Sequence, residues 1–202
     1  TDLDNLPFPA WKFIQMKDYQ RAWLQKSGYF SLNMTTTRGC PFKCNWCAKP
    51  IYGNRYNSRS PEKVVEEIDF LISNYQVEHI WFCDDIFGLK PGWIKRFSEL
   101  VVSKNLQFKF KIQCRADLLL DDENIQHLAN AGCDEIWIGA ESGSQKILDA
   151  MDKGTTVKQI YTATRLMQKH GIKPCLFLQF GYLDELQTDI DLTIKMVFDL
   201  MP

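Results

Sequence analysis

The sequence has almost no charge imbalance: 24 Lys and Arg stand against 25 Asp and Glu, a net charge of -1. The pI is near 6.3. Without a basic excess, a nucleic-acid surface is not indicated. No apolar run approaches the ~18 residues of a membrane span, and nothing at the start has the form of a signal peptide. There is no repeat at solenoid period and no low-complexity tract. Histidine is scarce, with 3 in all. His79 opens a strand pattern while His127 and His170 fall on helical ones, so structural or surface roles suit them. A phosphate-cradling glycine loop, a serine–histidine–acid arrangement and an H-E-x-x-H helix are all missing.

What is present is an ordinary globular composition: 202 residues, 45% hydrophobic, 24% charged and 13% aromatic, with mean hydropathy -0.27. That length suits one well-buried domain and is short for two. Seven cysteines with no export signal point to a reducing, cytoplasmic setting. Cys83, Cys114, Cys133 and Cys175 are scattered among apolar neighbours, where the expected role is that of a small buried hydrophobe.

The other three cysteines are concentrated. Thr35-Thr36-Thr37-Arg38-Gly39-Cys40-Pro41-Phe42-Lys43-Cys44-Asn45-Trp46-Cys47 gives the spacing C-x3-C-x2-C directly after a strand pattern. Thiolates this close reach one small metal centre. Three of them can hold three irons of a four-iron, four-sulfur cube and leave the fourth iron without a protein ligand. An open metal position is a place for chemistry. A structural zinc site wants four ligands, usually as two separated pairs, and no second pair exists. A disulfide framework suits small, cysteine-dense secreted chains. Three free cysteines meeting in a turn by accident is the remaining alternative.

Along the chain, strand and helix patterns alternate. Residues 11 to 28 are mixed and read as a short helix or irregular structure. Residues 29 to 37 read as a strand that runs into the cysteine loop. Residues 48 to 59 form a polar loop with Gly53, Arg55 and Arg59. Ser60 then caps a helix with Pro61 at its first position. Val64, Val65, Ile68, Leu71 and Ile72 form its core-facing stripe. His79 to Cys83 is a strand, Pro91 opens a helix through about Lys104, and Phe108 to Cys114 is a strand. Asp121 caps a helix through Ala131, stopped by Gly132. Cys133 to Ala140 is a strand, Ser144 to Met151 and Thr156 to His170 are helical, and Gly171 is the stop. Ile172 to Phe180 is the last strand, with a helix from about Leu186. The fold class is therefore α/β with parallel strands joined by crossovers. An open doubly wound sheet and a partial (β/α) barrel both fit.

In either architecture, ligands bind at the carboxyl ends of the strands. The polar residues there are Arg38 with the cysteine loop, Asp84-Asp85, Arg115, Glu141-Ser142 and Gln179. Each has a plain alternative. Asp84-Asp85 can serve as turn residues, and Glu141-Ser142-Gly143-Ser144 can be a helix start capped by Ser144. Arg115 can be a surface arginine or can pair bidentately with a carboxylate. Trp46 can be core packing.

Cys40, Cys44 and Cys47, with Trp46 before the last cysteine, resemble the signature of the radical S-adenosylmethionine superfamily. The run Arg38-Gly39-Cys40-Pro41-Phe42-Lys43-Cys44-Asn45-Trp46-Cys47 is similar to the branch whose members often carry a cobalamin-binding domain ahead of the barrel. The resemblance extends from about Pro7 to the end of the chain. It implies a six-unit open barrel, of which residues 29–202 would supply five βα units, truncated at the C-terminus. Residues 1–28 would be a lead-in from a missing N-terminal domain. Asp2 to Pro9 is similar to the Asp-Leu-Asp-x-Leu-Pro-x-Pro run of cobalamin-carrying relatives. Thr1 in place of Met, and an end at Met201-Pro202 in a helical pattern, fit a piece of a longer protein.

For the site, the resemblance implies a [4Fe-4S] cluster on Cys40, Cys44 and Cys47 whose open iron chelates S-adenosylmethionine. Asp84 and Asp85 would lie near its amino group. Glu141 and Ser142 would meet the ribose or methionine portion, and Arg115 a carboxylate. Gln179-Phe180-Gly181 would border the adenine, although Leu183 and Asp184 replace the customary proline and glycine. Trp46 would pack near the cluster or the adenine. The implied partners are a small-molecule substrate and an electron donor such as a flavodoxin or ferredoxin. A cobalamin domain ahead of residue 1 would open methyl transfer, or oxidative ring chemistry on a tetrapyrrole-like substrate. Two rivals are an electron-transfer protein with Cys83 or Cys114 as fourth cluster ligand, and a zinc-stapled binding module.

Overall fold

The computed structural model describes residues 2–48 and 53–202. Thr1 and positions 49–52 of the expected polar loop lie outside the described residues. In chain order the regular elements are α1 (Met16–Ser27), β1 (Ser31–Met34), β2 (Thr37–Arg38), β3 (Asn57–Ser58), α2 (Pro61–Tyr75), β4 (His79–Phe82) and α3 (Trp93–Ser103). They continue with β5 (Lys109–Cys114), α4 (Asp122–Asn130), β6 (Cys133–Glu141), α5 (Gln145–Ala150), α6 (Val157–Lys169), β7 (Lys173–Leu178) and α7 (Gln187–Leu200).

Strand order decides between the two architectures that the sequence left open. The main sheet runs β1-β4-β5-β6-β7, and every neighbouring pair is parallel. A doubly wound sheet reverses its strand order at a switch point. Here each new strand joins the same growing edge, which is the winding of a (β/α) barrel. The protein is a partial barrel of five parallel strands. β2 and β3 form a separate antiparallel pair beside the cysteine loop.

The alternation within each strand assigns its two faces. Ile80, Phe82, Phe110, Ile112, Ile136 and Ile138 are buried and pack with Val64, Ile68, Leu71 and Phe97 in one core. Phe82 meets Phe97 and Phe110 edge-on, at centroid distances of 6.1 and 5.5 Å, the geometry that aromatic quadrupoles favour. The opposite face carries Trp81, Lys111, Gln113, Glu135, Trp137 and Gly139, all half-buried. That face is the inner wall of the partial barrel.

Caps fall largely where expected. The Ser60 hydroxyl accepts from Lys63 N at 3.2 Å, and Thr156 with Gln159 closes a capping box on α6. Three boundaries differ. α3 starts at Trp93 rather than Pro91, because Gly92 has φ 74 and cannot belong to a right-handed helix. The expected strand over 29 to 37 ends at Met34, since Thr36 and Thr37 turn to bond Asp84. Ser144 does not cap α5: its hydroxyl donates to Asp189 Oδ1 at 2.7 Å and ties the turn to α7.

The N-terminal segment packs against α2 and its cap. Trp11 donates its indole N–H to buried Glu67 at 3.1 Å, and Asp4 Oδ1 accepts from Ser60 N at 2.8 Å. Among the described residues no helix is long and apolar enough to cross a membrane.

Candidate functional site

The cysteine loop starts with a glycine that nothing else can replace. Gly39 has φ 87, and a Cβ there would come 1.9 Å from Arg55 O. The loop is anchored behind by Asp84, whose Oδ1 accepts from Thr36 N at 2.7 Å and Thr37 N at 2.8 Å. Its Oδ2 accepts from Thr36 Oγ1 at 2.6 Å. Burial pushes the Asp84 pKa up to about 6, against the pull of these hydrogen bonds. The Asp84 carboxylate is thus spent on the turn that launches the loop and does not line the cavity.

The next residue faces the other way. Asp85 lines a cavity of about 370 Å³ at the carboxyl ends of the strands, with Cys40, Cys44, Trp46, Cys47, Arg115 and Glu141. Seven of the sequence-derived candidates therefore meet in one space, while Asp84, Ser142 and Gln179 do not line it. Ser142 is buried and its Oγ lies 3.1 Å from Thr193 Oγ1 of α7. Gln179 is placed by its backbone N–H, which donates to Glu141 O at 2.9 Å. A larger hollow, about 660 Å³ between α1 and the end of α2, contains none of the candidates.

Cys40, Cys44 and Cys47 are free thiols at the mouth of the cavity. Burial raises the Cys40 pKa, and the charges of Asp85, Cys44 and Cys47 add to the rise. Among the described residues no three His, Cys, Asp or Glu side chains converge as ligands of one metal ion. A single-ion staple would need such convergence, whereas in a cubane cluster each thiolate would bind a different iron. Of the two candidate fourth ligands, Cys83 is exposed and does not line the cavity, whereas Cys114 is buried and does.

Arg115 braces the loop. Its Nε and Nη2 donate to Asp117 at 2.9 and 3.2 Å, and Nη2 also donates to Lys153 O at 2.7 Å. Nη1 lies 3.7 Å from Cys44 Sγ, and the guanidinium stacks 3.8 Å over Phe42. The bidentate carboxylate partner of this arginine is the chain's own Asp117. From the other side, Asn45 N donates to Met151 O at 3.0 Å, and Asn45 Nδ2 to Ala150 O at 2.7 Å. Tyr182 closes the clasp by donating to Asn45 Oδ1 at 2.6 Å.

Glu141 ends β6 at φ 60, a left-handed conformation rare outside glycine. Its Oε1 accepts from Lys153 Nζ at 2.8 Å, with both side chains about 6% exposed. Glu141 Oε2 takes no hydrogen bond among the described residues. Gly139 makes the pair possible: a Cβ there would lie 2.6 Å from both Glu141 Oε1 and Lys153 Nζ. Lys153 also lies 5.6 Å above the half-exposed Trp46 ring. Sequence reasoning missed Lys153, Asn45 and Tyr182. A lysine in the turn Asp152-Lys153-Gly154 reads as solvated, and nothing local marks it as a partner of a strand end.

Comparison with known proteins places this geometry. The family model described as "Radical SAM superfamily" matches residues 34–197. A protein named an uncharacterized methyltransferase, from Pyrococcus horikoshii, is 28% identical over 96% of this chain and 41% of its own length. The anaerobic magnesium-protoporphyrin IX monomethyl ester cyclase of Rubrivivax gelatinosus is 27% identical over 100% of this chain and 36% of its own. Among solved structures, the cobalamin-dependent S-adenosylmethionine radical enzyme OxsB with aqua-cobalamin bound superimposes with TM-score 0.75 at 25% identity. That match covers 82% of this chain and 26% of OxsB. The chain thus spans well under half the length of these relatives.

Proposed function

Because this chain belongs to the radical SAM superfamily, we propose that it is the catalytic core of a radical S-adenosylmethionine enzyme. In this reading Cys40, Cys44 and Cys47 hold a [4Fe-4S] cluster whose open iron receives S-adenosylmethionine. The observation that carries it is the convergence of the three thiols with Asp85, Arg115 and Glu141 on one cavity at the strand ends. When bound and reduced, the cluster supplies the electron that cleaves S-adenosylmethionine to methionine and a 5′-deoxyadenosyl radical, which takes a hydrogen atom from the substrate.

The chain's own residues define how the groups are held. Asp85 offers a carboxylate beside Cys40 for the cationic amino group of the cofactor. Glu141, fixed through Oε1 by Lys153, keeps Oε2 for hydroxyl donors such as those of a ribose. Arg115 and the Asn45–Ala150 clasp hold the loop, which keeps the thiols oriented without the metal. Asp84 and Ser142 support from behind. Trp46 and Phe177 wall the cavity and limit water. Gln179, at the end of β7, remains a candidate for the adenine edge. An electron donor such as a flavodoxin or ferredoxin, and a cytoplasmic setting, follow from the reducing demand of the cluster.

Radical methyl transfer with cobalamin held by a domain outside these 202 residues, or oxidative ring chemistry on a tetrapyrrole-like small molecule, extends the proposal. The relatives named as a methyltransferase and a protoporphyrin ester cyclase support it, as does the likeness to OxsB. The core proposal is tested by incubating the anaerobically reconstituted chain with dithionite and S-adenosylmethionine. 5′-Deoxyadenosine and methionine are expected in equal amounts, and neither from the metal-free chain. A reconstituted four-iron protein that forms no deoxyadenosine would favour the electron-transfer alternative.

A further inference from the structure

The inner wall of the sheet continues below the cavity, and among the described residues two of its polar groups, the Lys111 ammonium and the Trp81 indole N–H, have no hydrogen-bond partner. Trp81, Lys111 and Glu135 stand side by side on β4, β5 and β6. One inward step toward the cavity, Gln113, Trp137 and Cys175 form the next row, and Gly139 and Phe177 the one after. Gln113, Trp137, Gly139 and Phe177 also line the cavity that holds the cysteines. The upper rows of the wall are therefore walls of the reaction space.

Lys111 is the unusual member of the lower row. Its ammonium lies 4.3 Å over the Trp81 ring, and among the described residues it has no hydrogen bond and no carboxylate within the 4.0 Å of an ion pair. Glu135, its neighbour in register, is instead turned to the Trp137 indole N–H. The Trp81 Nε1 is buried with no hydrogen-bond partner. A buried indole donor and a half-buried ammonium left unmatched are both costly unless a ligand supplies the acceptors. Above them, Trp137 and Phe177 present aromatic faces with centroids 4.9 Å apart. Two residues along a strand separate the ammonium row from the Trp137 row, about 7 Å.

We propose that this wall is a substrate subsite for a planar conjugated acid. The ring system lies against Trp137 and Phe177, and the carboxylate is received by Lys111 with the Trp81 N–H beside it. The inference rests on the reading of the cavity as the reaction site and adds the chemical class of the molecule placed there. An acid arm of two or three bonds spans the distance between the rows and leaves the ring edge nearest the cysteine loop.

The test is a pair of fluorescent probes, 1-pyrenebutyrate and the uncharged 1-pyrenebutanol, titrated into the metal-free 202-residue chain. The acid is expected to bind roughly tenfold more tightly than the alcohol, the size of one charge-assisted contact. Lys111→Met removes that preference and leaves the alcohol within about twofold of its original affinity, whereas Lys111→Arg retains the preference. Trp137→Leu weakens both probes. Equal binding of acid and alcohol by the unaltered chain, or a preference that survives Lys111→Met, overturns the subsite. Because no cluster is needed, a chain that fails to assemble iron and sulfide yet shows the preference refutes the radical reading alone.

Discussion

Lys153→Met is expected to destabilise the chain by about 3–5 kcal/mol, the cost of leaving one charge of a buried pair without its partner. The ammonium and the Glu141 carboxylate are 2.8 Å apart and both nearly inaccessible, so water cannot replace the lost partner. The pair joins the end of β6 to the turn after α5, and that turn holds the cysteine loop through Ala150 and Met151. The loss should therefore appear in the loop as well as in global unfolding, as faster modification of Cys44 and Cys47 by a thiol reagent in the folded chain. Glu141→Gln in the Lys153→Met background removes the stranded charge and should recover more than half of the stability. Urea unfolding of the four forms measures the coupling. A Lys153→Met chain within about 1 kcal/mol of the original would mean that the pair is solvated and that the turn is held by the Asn45 clasp alone.

Cys44→Ala is expected to abolish four-iron assembly, lowering bound iron and sulfide to background and deoxyadenosine formation at least about a thousandfold. Cys44 has two claims beyond its spacing: it lines the cavity, and Arg115 holds an N–H 3.7 Å from its sulfur. Cys83→Ala and Cys114→Ala should leave cluster content unchanged. The Cys114 thiol lines the cavity but is turned to Phe87 O as a weak donor at 3.8 Å, and Cys83 does not line the cavity. A collapse of iron content in Cys83→Ala or Cys114→Ala, with S-adenosylmethionine without effect, would transfer the chain to the electron-transfer class.

The barrel's alternation was legible because each strand shows one apolar face to the helices and each helix carries a stripe, as with Val64, Ile68 and Leu71. What sequence could not settle was the winding, since strand order is a tertiary property. Residues 11 to 28 stayed open between a short helix and irregular structure because α1 buries only Met16 and so has no stripe to read. The strand before the cysteines was drawn too long because three consecutive threonines favour extended backbone, while the hydrogen bonds that end it come from Asp84, 48 positions away.

The site divides in the same manner. Cysteine spacing is local chemistry and was readable. Asp84 and Asp85 are identical in sequence terms, and only the backbone turns one toward Thr36 and Thr37 and the other toward the cavity. Arg115 announces a carboxylate partner but not which one; Asp117, two residues on, takes that place. Lys153 was invisible because its role depends on Gly139 leaving room for it across the strand.

The most direct test of an open iron on these cysteines is EPR of the anaerobically reconstituted, dithionite-reduced chain, recorded with and without S-adenosylmethionine. The account predicts a cubane-type signal that changes shape when the cofactor is added, and no such signal from Cys44→Ala. A cluster signal indifferent to S-adenosylmethionine at saturating concentration, or zinc retained without labile sulfide, would contradict it.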